Sequence, residues 1–233
     1  MEPSFKAVAD HALLVSFADE INDETHARVI ALDNALIANP PAGFIETVPA
    51  LVNLLVSFDP LTTDAKKIES CVRYELKVLE KVVGTESVQP IRRLVQVCYD
   101  HCFAPDLTAV AQAKAMHTDD VIRNHLNASY RVLMYGFSPG YAYMGGVPES
   151  IQVPRKKSAV RDVPAGSVII AGSQCLITTI TMPTGWSIIG RSPTPILSAN
   201  PERPFLFDVG DEVEFERIDA ATYQRKFQEI GHG

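Results

Sequence analysis

Residues 136–146 constrain the fold of this chain more than any other stretch, and they read Gly-Phe-Ser-Pro-Gly-Tyr-Ala-Tyr-Met-Gly-Gly. A strand-like run at 130–135 leads into them. Pro139 sets φ at one turn position and Gly140 accepts a positive φ at the next, which predicts a sharp turn. A glycine-rich turn after a strand indicates a backbone that bends sharply or approaches another group closely. The alternative is a hinge that is packed by its own aromatic rings.

Composition and charge restrict the class of protein. The chain has 233 residues, enough for one large domain or two small ones, and 46% of them are hydrophobic. No apolar run approaches the roughly 18 residues of a membrane span, and residues 1–6 lack a signal-peptide pattern. These features predict a cytoplasmic protein without a membrane partner. A formal net charge of -7 disfavours nucleic acid as a partner, because phosphate binding requires clustered Lys and Arg.

The cysteines predict reduced thiols and no metal site. Without a secretory signal, Cys71, Cys98, Cys102 and Cys175 are expected to stay reduced. The spacing of Cys98 and Cys102 does not match a Cys-x₂-Cys zinc knuckle, and no second ligand pair follows them. Cys175 is a conceivable nucleophile, but it lies in an apolar strand-like run, where a thiol is usually inert.

The first 88 residues predict a small α+β domain. Strand-like runs and stretches of helical periodicity follow one another in a β-β-α-β-β-α order, at residues 5–9, 12–17, 22–39, 44–48, 51–58 and 64–83. This order predicts helices on one side of a small antiparallel sheet. The polar segment 84–90 predicts the boundary, which divides the chain into domains of residues 1–88 and 89–233.

The second domain is predicted to be a closed or nearly closed β-barrel. A strand at 91–99 is followed by two helices, the first ending near Ala115 and the second beginning with Thr118 as its N-cap. Helical periodicity then disappears. Short strand-like runs separated by Gly and Pro follow, at residues 130–135, 168–171, 175–180, 187–190, 204–207 and 213–216.

Eight motifs follow one another over about 110 residues of this second half. They lie at 104–107 (Ala-Pro-Asp-Leu), 121–132, 136–146, 154–155 (Pro-Arg), 163–168 (Val-Pro-Ala-Gly-Ser-Val), 171–174 (Ala-Gly-Ser-Gln), 185–193 (Gly-Trp-Ser-Ile-Ile-Gly-Arg-Ser-Pro) and 210–215 (Gly-Asp-Glu-Val-Glu-Phe). In this order they closely resemble the allophanate hydrolase subunit 1 family, also called the KipI family, which includes the B-type subunits of 5-oxoprolinase. Its relatives form part of the carboxyltransferase region, subdomains C and D, of urea carboxylase.

The resemblance implies a fold, a class of activity and partners. The implied fold is a small α+β N-terminal domain followed by a cyclophilin-like β-barrel, an α+β protein overall. The implied function is that of a subunit in a multi-subunit amidohydrolase or carboxyltransferase acting on a small amide, such as ATP-dependent hydrolysis of 5-oxoproline. A homologous second subunit of cyclophilin-like fold, with or without a third subunit, would complete the enzyme. ATP or biotin would be bound only through those partners, and this chain is expected to bind no cofactor or metal itself.

The sequence departs from the family pattern at four positions. A second Pro-Arg pair is replaced by Ala159 and Val160, with an arginine one place later at Arg161. Thr184 replaces a glycine before the family's Gly-Trp pair, and Thr178 lies where the family has a Tyr-Pro pair. If the missing arginine or tyrosine contacts substrate in the family, the substrate of this chain differs from the usual one.

Three residues are candidate catalytic groups. Arg155 and Arg191 carry planar guanidinium groups that can bind a carboxylate or a developing oxyanion with two parallel hydrogen bonds. The alternative for both is a salt bridge on the barrel rim. An unperturbed histidine titrates near neutral pH, so His125 is a candidate proton shuttle. Its alternative is a histidine that caps carbonyls at a helix C-terminus.

The candidate substrate-binding residues come from loops around the predicted barrel mouth: Pro139, Gly140, Tyr141, Tyr143, Gly172, Ser173, Gln174 and Trp186. The aromatic rings are expected to line a pocket, and the glycines to let backbone N–H groups point into it. Trp186 has the alternative of being barrel core, and Ser173 and Gln174 that of stabilising a turn. We expect these loops and both arginines to face one common hollow.

The leading hypothesis is therefore an enzyme subunit that is inactive without its partners. It rests on glycine, aromatic and arginine motifs in a chain that shows no Ser-His-Asp order, nucleophile elbow or phosphate-binding loop. The alternative is a regulatory binding module that inhibits a sensor histidine kinase. Prolyl isomerase activity is a minor third hypothesis, because a shared fold alone is poor evidence for an activity.

Overall fold

The computed structural model describes residues 2–81 and 90–230, and the chain forms two compact units, residues 1–89 and 90–233. The predicted boundary between residues 88 and 89 falls in the segment 82–89, which lies outside the described residues, so its position stays a prediction. Of the helices in the described ranges, none combines the length and the apolar character that crossing a membrane requires.

The described part of the N-terminal unit is an antiparallel sheet with two helices. Its elements are β1 (Ser4–Ala9), β2 (Ala12–Ser16), α1 (Asp23–Ala38), β3 (Phe44–Ala50), β4 (Asn53–Phe58) and α2 (Ala65–Lys81). The strand order is β1-β2-β4-β3, and each neighbouring pair is antiparallel. The β-β-α-β-β-α order predicted from the sequence is confirmed.

Periodic burial explains these elements. Every second residue of β4 from Leu54 to Phe58 is fully buried, which is the pattern of a strand with one covered face. On α1, Val29, Leu32 and Leu36 are buried at the three- and four-residue spacing of one helical face. Both helices join one hydrophobic core with the buried residues of β2 and β4, so they cover the same face of the sheet.

The described part of the C-terminal unit is built on a closed seven-stranded barrel. In chain order its elements are β5 (Arg92–Cys98), α3 (Leu107–Ala113), α4 (Thr118–Leu126), β6 (Tyr130–Tyr135), β7 (Ala142–Gly145), a 3₁₀ turn (Glu149–Ile151), β8 (Val160–Val163), β9 (Ser167–Ala171), β10 (Gln174–Ile177), β11 (Met182–Thr184), β12 (Ser187–Arg191), β13 (Glu212–Ile218) and α5 (Ala220–Ile230). The barrel order is β6-β13-β5-β12-β9-β10-β7, and pairing of β7 with β6 closes the ring. β13 and β5 run parallel, whereas β8 and β11 form a separate two-stranded sheet. The predicted α+β architecture with a C-terminal barrel is confirmed.

The structure corrects several predicted elements. Residues 204–207 were predicted to be a strand, but Leu197 and Phe205 form only an isolated bridge, and Pro204 has no N–H for a ladder. Thr118 is the first residue of α4 rather than its N-cap; the N-cap is His117, whose N–H donates to the Asp120 carboxylate at 3.4 Å.

Strands β7, β8 and β11 and helix α5 were not predicted from the sequence. The three strands are only three or four residues long, too short for a periodic pattern.

Strand β9 is buried on both of its faces, and this determines where the candidate site lies. Val168 and Ile170 point into the barrel and join its core, whereas Ile169 and Ala171 point outward and join a second apolar cluster. All residues of β9 are buried, which explains its uninterrupted apolar sequence. The barrel interior is therefore a packed core, and the outer surface of this wall is also covered.

We expect Gly190→Ala to lower the free energy of unfolding by about 1–3 kcal/mol, the usual cost of overpacking. Gly190 lies in β12, and an added Cβ would be 2.6 Å from Cγ1 of the fully buried Val97. Gly185→Ala is the matched control, because its added Cβ would meet nothing closer than the Lys156 carbonyl oxygen at 3.7 Å. Urea unfolding of both variants measures the difference, and equal losses would contradict this account of the packing.

Candidate functional site

The outward face of the barrel wall carries an apolar cluster, which we call the outer cluster. It lies on strands β7, β9, β10 and β12, and the β8–β11 sheet covers it by contributing Val163 and Met182. Its remaining buried members are Tyr141, Ile169, Ala171, Leu176, Trp186 and Ile188, with Tyr143 partly buried against them. The cluster thus brings together three of the aromatic residues that were predicted to bind substrate.

Four aromatic rings form a continuous row along this cluster. Phe137 and Tyr141 have ring centroids 5.4 Å apart, Tyr141 and Tyr143 5.5 Å, and Tyr143 and Trp186 6.1 Å. The last two pairs are edge-to-face, a favourable arrangement of ring quadrupoles. We call these four residues the aromatic row. Trp186 is 5% exposed and is buried in the outer cluster rather than in the barrel core, whereas Phe137 at the other end of the row is 73% exposed. The role of the rings as a pocket wall stays a prediction.

Arg155 lies at the Trp186 end of the aromatic row. Its guanidinium carbon is 5.3 Å from the centroid of the Trp186 ring, a cation–π contact. The side chain is exposed, and among the described residues no carboxylate lies within ion-pair distance of it. Burial raises the pKa of Tyr141 to about 12, and the nearby Arg155 charge opposes that rise. At neutral pH this end of the row therefore offers a cation and a neutral hydroxyl.

Two backbone interactions hold this end of the row in place. Arg155 belongs to the segment 154–157, which we call the strap, and Lys156 N–H of the strap donates to the Gly185 carbonyl at 2.6 Å. The Thr184 hydroxyl accepts a hydrogen bond from Trp186 N–H at 3.1 Å. Strap and tryptophan are thus both fixed to residues 184–185. Thr184, one of the departures from the family pattern, is buried and helps to set the position of Trp186.

Arg191 lies at the opposite end of β12 from Trp186. The two Cα atoms are five residue steps apart along extended chain, or roughly 16 Å at about 3.3 Å per residue. Its Nε donates to the Ala165 carbonyl at 3.1 Å, and its guanidinium lies 5.9 Å from the Tyr223 ring and 5.8 Å from the Phe227 ring of α5. The expectation that both arginines face one hollow is therefore wrong. The contacts of Arg191 hold the C-terminal helix, and neither the predicted catalytic role nor a rim salt bridge is among them.

His125 is a buried residue of the barrel core. Its Nδ1 is hydrogen-bonded to the Tyr99 hydroxyl at 2.8 Å, and its Nε2 lies 3.7 Å from the Cys175 thiol. The ring also packs against Tyr130 and Phe215, with centroids 5.1 and 4.5 Å away. Burial lowers the pKa of His125 to about 3, so the imidazole is neutral at physiological pH. This geometry favours a structural role. The ring nitrogens contact the Tyr99 hydroxyl and the Cys175 thiol and not the helix carbonyls of the capping alternative. The buried position gives no support to the proton-shuttle role.

The β6–β7 loop contains a strained residue that was not selected from the sequence. Phe137 has φ of +72°, and Ser138 N–H donates to the Gly136 carbonyl at 2.9 Å. These values describe a γ-turn of the rare, strained type, and strain of this kind is concentrated at functional loops. Gly140 has φ of +69°, and an added Cβ would lie 2.6 Å from Leu197, so the predicted sharp turn at Pro139-Gly140 is present.

Gly172 and Ser173 form the turn between β9 and β10. Gly172 N–H donates to the Val153 carbonyl at 2.8 Å, so this amide is engaged and does not point into a pocket as predicted. The Ser173 carbonyl accepts from Val147 N–H at 3.2 Å, which matches the turn-stabilising alternative. Gln174 pairs with Ala171 and Gly145 and is partly exposed.

The remaining departures from the family pattern have structural partners. The Thr178 hydroxyl donates to the Pro164 carbonyl at 2.8 Å and accepts from Ser167 N–H at 2.9 Å, so it holds the turn before β9. Val160 pairs with Thr184 in the β8–β11 sheet, next to the exposed Ala159. Within residues 2–81 and 90–230, no group of three or more His, Cys, Asp or Glu side chains is arranged to hold a metal ion.

Arg191→Met should lower the free energy of unfolding by about 2 kcal/mol, because it removes two cation–π contacts and a charged hydrogen-bond donor. Arg155→Met should lower it by no more than about 1 kcal/mol, since only one exposed contact is lost. Urea unfolding measures both values, and amide hydrogen exchange in α5 should accelerate in the Arg191 variant alone. Faster exchange in α5 of the Arg155 variant would contradict the separation of the two sites.

The low pKa of His125 predicts a pH-dependent stability. Between pH 3 and 6.5 the unfolded chain binds a proton that the folded chain excludes, so stability should fall as the pH drops through this window. His125→Gln should remove up to about 1.4 kcal/mol per pH unit from that slope. Urea unfolding between about pH 4 and 7 measures the slope. His101→Gln, at an exposed position, is the control, and an unchanged slope in the His125 variant would contradict the assignment.

Comparisons with known proteins show which family the chain is similar to. The family model of the carboxyltransferase domain, subdomain C and D, matches residues 3–207. The B-type subunit of 5-oxoprolinase from Bacillus subtilis (strain 168) is 35% identical over 225 residues, which cover 93% of this chain and 93% of that protein. The crystal structure of TTHA0988 is 28% identical with a TM-score of 0.77 over 90% of this chain, which spans 40% of that longer one.

A more distant structure shares the fold. The Kluyveromyces lactis urea amidolyase has a TM-score of 0.77 over 97% of this chain and 15% of its own, at 15% identity, which shows similarity of fold alone. The family-model match extends over most of both units, and the bacterial relative matches over nearly the full length of each protein. The chain therefore belongs to the carboxyltransferase domain, subdomain C and D family, as the order of its motifs predicted.

Proposed function

We propose that this chain is the B-type subunit of a multi-subunit amidohydrolase that acts on a small carboxylated amide such as 5-oxoproline. The bacterial relative that matches 93% of this chain carries the name of that 5-oxoprolinase subunit. The observation that carries the proposal is Arg155, an exposed guanidinium over Trp186 that has no carboxylate partner among the described residues. A free guanidinium beside aromatic rings suits a ligand with a carboxylate and a small ring whose CH₂ groups can pack against an aromatic face.

In this proposal the side chains of the site bind and orient the substrate. Arg155 would hold the carboxylate, while Trp186 and Tyr143 pack against the ring of the amide. The Tyr141 hydroxyl would act as a neutral hydrogen-bond donor, since burial raises its pKa still further above neutral pH. Orientation of this kind lowers the entropic part of the barrier even where the reacting group comes from elsewhere.

The chemical step would require groups from partner subunits. Cys175 and His125, the candidate nucleophile and proton shuttle of the sequence, are both fully buried in the barrel core. Burial also raises the pKa of the Cys175 thiol, so it stays protonated and unreactive. We therefore propose that a homologous second subunit of cyclophilin-like fold, with a third subunit, completes the catalytic set.

We further propose that ATP or biotin, where the reaction uses either, binds to those partner subunits. Residues 140–146 lack the Lys-Ser/Thr pair of a phosphate-binding loop, which supports a nucleotide site outside this chain. This chain spans 40% of TTHA0988, so in that protein the same fold is joined to a longer remainder. A fused arrangement of this kind is consistent with a barrel that works together with a second component.

The test compares the isolated chain with a complex reconstituted by co-expression with the proposed second and third subunits. The isolated chain should release no glutamate from 5-oxoproline in the presence of ATP, whereas the complex should. In the complex, Arg155→Met should lower kcat/KM by about 10- to 100-fold, the effect of losing a charged hydrogen bond. Arg123→Met is the control, because Arg123 lies on the exposed face of α4, paired with Asp120.

Two results would contradict the proposal. One is turnover by the isolated chain at the rate of the complex, which would mean that it carries its own catalytic set. The other is an equal kcat/KM in the Arg155 and Arg123 variants, which would remove the carboxylate-binding role. Capture of a sensor histidine kinase in place of a second barrel subunit would favour the regulatory alternative.

A further inference from the structure

We propose that Asp106 is a positioning residue for Arg155, acting through an ion pair with Lys156 of the strap. This inference rests on the proposed carboxylate-binding role of Arg155 and names the device that holds its guanidinium in place. Asp106 and Lys156 are 50 residues apart in sequence; the first lies within the Ala-Pro-Asp-Leu motif at 104–107, and the second directly follows the Pro-Arg motif at 154–155. In the structure the two regions meet where Lys156 Nζ contacts Oδ2 of Asp106.

Asp106 is first of all fixed to β12. Pairing of β12 with β5 is confined to Arg191 and Cys98, so the first half of β12 has an edge that β5 does not cover. Asp106 forms hydrogen bonds with both backbone groups of Ile188 on that edge. Its N–H donates to the Ile188 carbonyl at 3.0 Å, and its carboxylate accepts from Ile188 N–H at 2.7 Å. An aspartate held by two such bonds is a rigid support.

The carboxylate of Asp106 also binds the strap. Its Oδ2 lies 2.5 Å from Lys156 Nζ, and the two side chains are only 22% and 23% exposed. An ion pair sheltered to this degree is screened less than a fully exposed one. Asp106 precedes α3 but makes no side-chain hydrogen bond to its N-terminus, so the carboxylate is committed to Ile188 and Lys156 instead.

Lys156 is therefore held at both ends. Its side chain binds Asp106, and its backbone N–H donates to the Gly185 carbonyl at 2.6 Å, next to Trp186. Arg155 is the preceding residue, and its side chain contacts the Trp186 ring. Because the backbone of the strap is fixed, Arg155 loses less conformational freedom when it binds an anion. Loss of the ion pair should weaken substrate binding without altering the chemical step.

The experiment uses Trp186 as a probe, because it is the one tryptophan of the chain and gives a single indole N–H peak in a ¹H–¹⁵N spectrum. Asp106→Asn keeps an oxygen acceptor for Ile188 N–H but loses the charge that binds Lys156. Lys156→Met leaves the bonds between Asp106 and Ile188 in place, so it tests the proposal even if the Asp106 variant folds poorly. Lys157→Met, an exposed lysine of the same strap, is the matched control.

In the isolated chain, the Asp106 and Lys156 variants should each shift the indole peak part of the way toward its position in Arg155→Met. The control should leave the peak unchanged. Adding Asp106→Asn to the Arg155→Met background should cause no further shift, because the effect passes through Arg155. An unchanged peak in Lys156→Met, or a full additional shift in the double variant, would overturn the proposal.

In the reconstituted complex, Asp106→Asn and Lys156→Met should each raise KM for 5-oxoproline about fivefold and leave kcat unchanged. This is the pattern expected when ground-state binding is lost. A fall in kcat with an unchanged KM would overturn the positioning role. If the complex does not act on 5-oxoproline, the proposed function fails. The indole peak of the isolated chain still decides the positioning role, so the two failures are distinguishable.

Discussion

The candidate site depends on burial of the β9 wall from both sides. Val168 and Ile170 complete the barrel core, and Ile169 and Ala171 carry the outer cluster. A strand packed on both faces is rigid, because each side chain is confined by close-packed neighbours. That rigidity lets the outer surface of a barrel present an aromatic row at defined distances. Without the β8–β11 sheet above it, the same surface would be an exposed apolar patch.

Strand β12 separates the two arginines that were expected from the sequence to lie together. Trp186, which contacts Arg155, precedes the strand, and Arg191 is its last residue. The two arginines therefore have different surroundings. Arg191 is surrounded by a backbone carbonyl and two rings of α5, whereas Arg155 is exposed above one ring. The contacts of Arg191 with a carbonyl and two rings serve the fold, whereas Arg155 contacts one ring and has no carboxylate partner among the described residues.

Several motif residues have structural roles of the same kind. His125 is buried and neutral among Tyr99, Tyr130 and Phe215, so its place in the motif reflects packing and hydrogen bonding in the core. Asp106 closes an open strand edge. For His125 the sequence indicated a proton shuttle or a capping group, because residue type alone does not report burial. Burial decides whether a titratable group is charged and accessible.

Local patterns in the sequence determined the order of secondary structure in the N-terminal unit and the sharp turn at Pro139-Gly140, because turn chemistry and apolar periodicity depend on neighbouring residues. The order of the motifs along the chain determined the family. The sequence also marked Tyr141, Tyr143, Trp186 and Arg155 as a group. Only the tertiary structure decided that they meet on the outside of the barrel, that Arg191 lies elsewhere, and that Asp106 supports the strap. These facts depend on strand register and on contacts between residues far apart in the chain, and no local pattern encodes them.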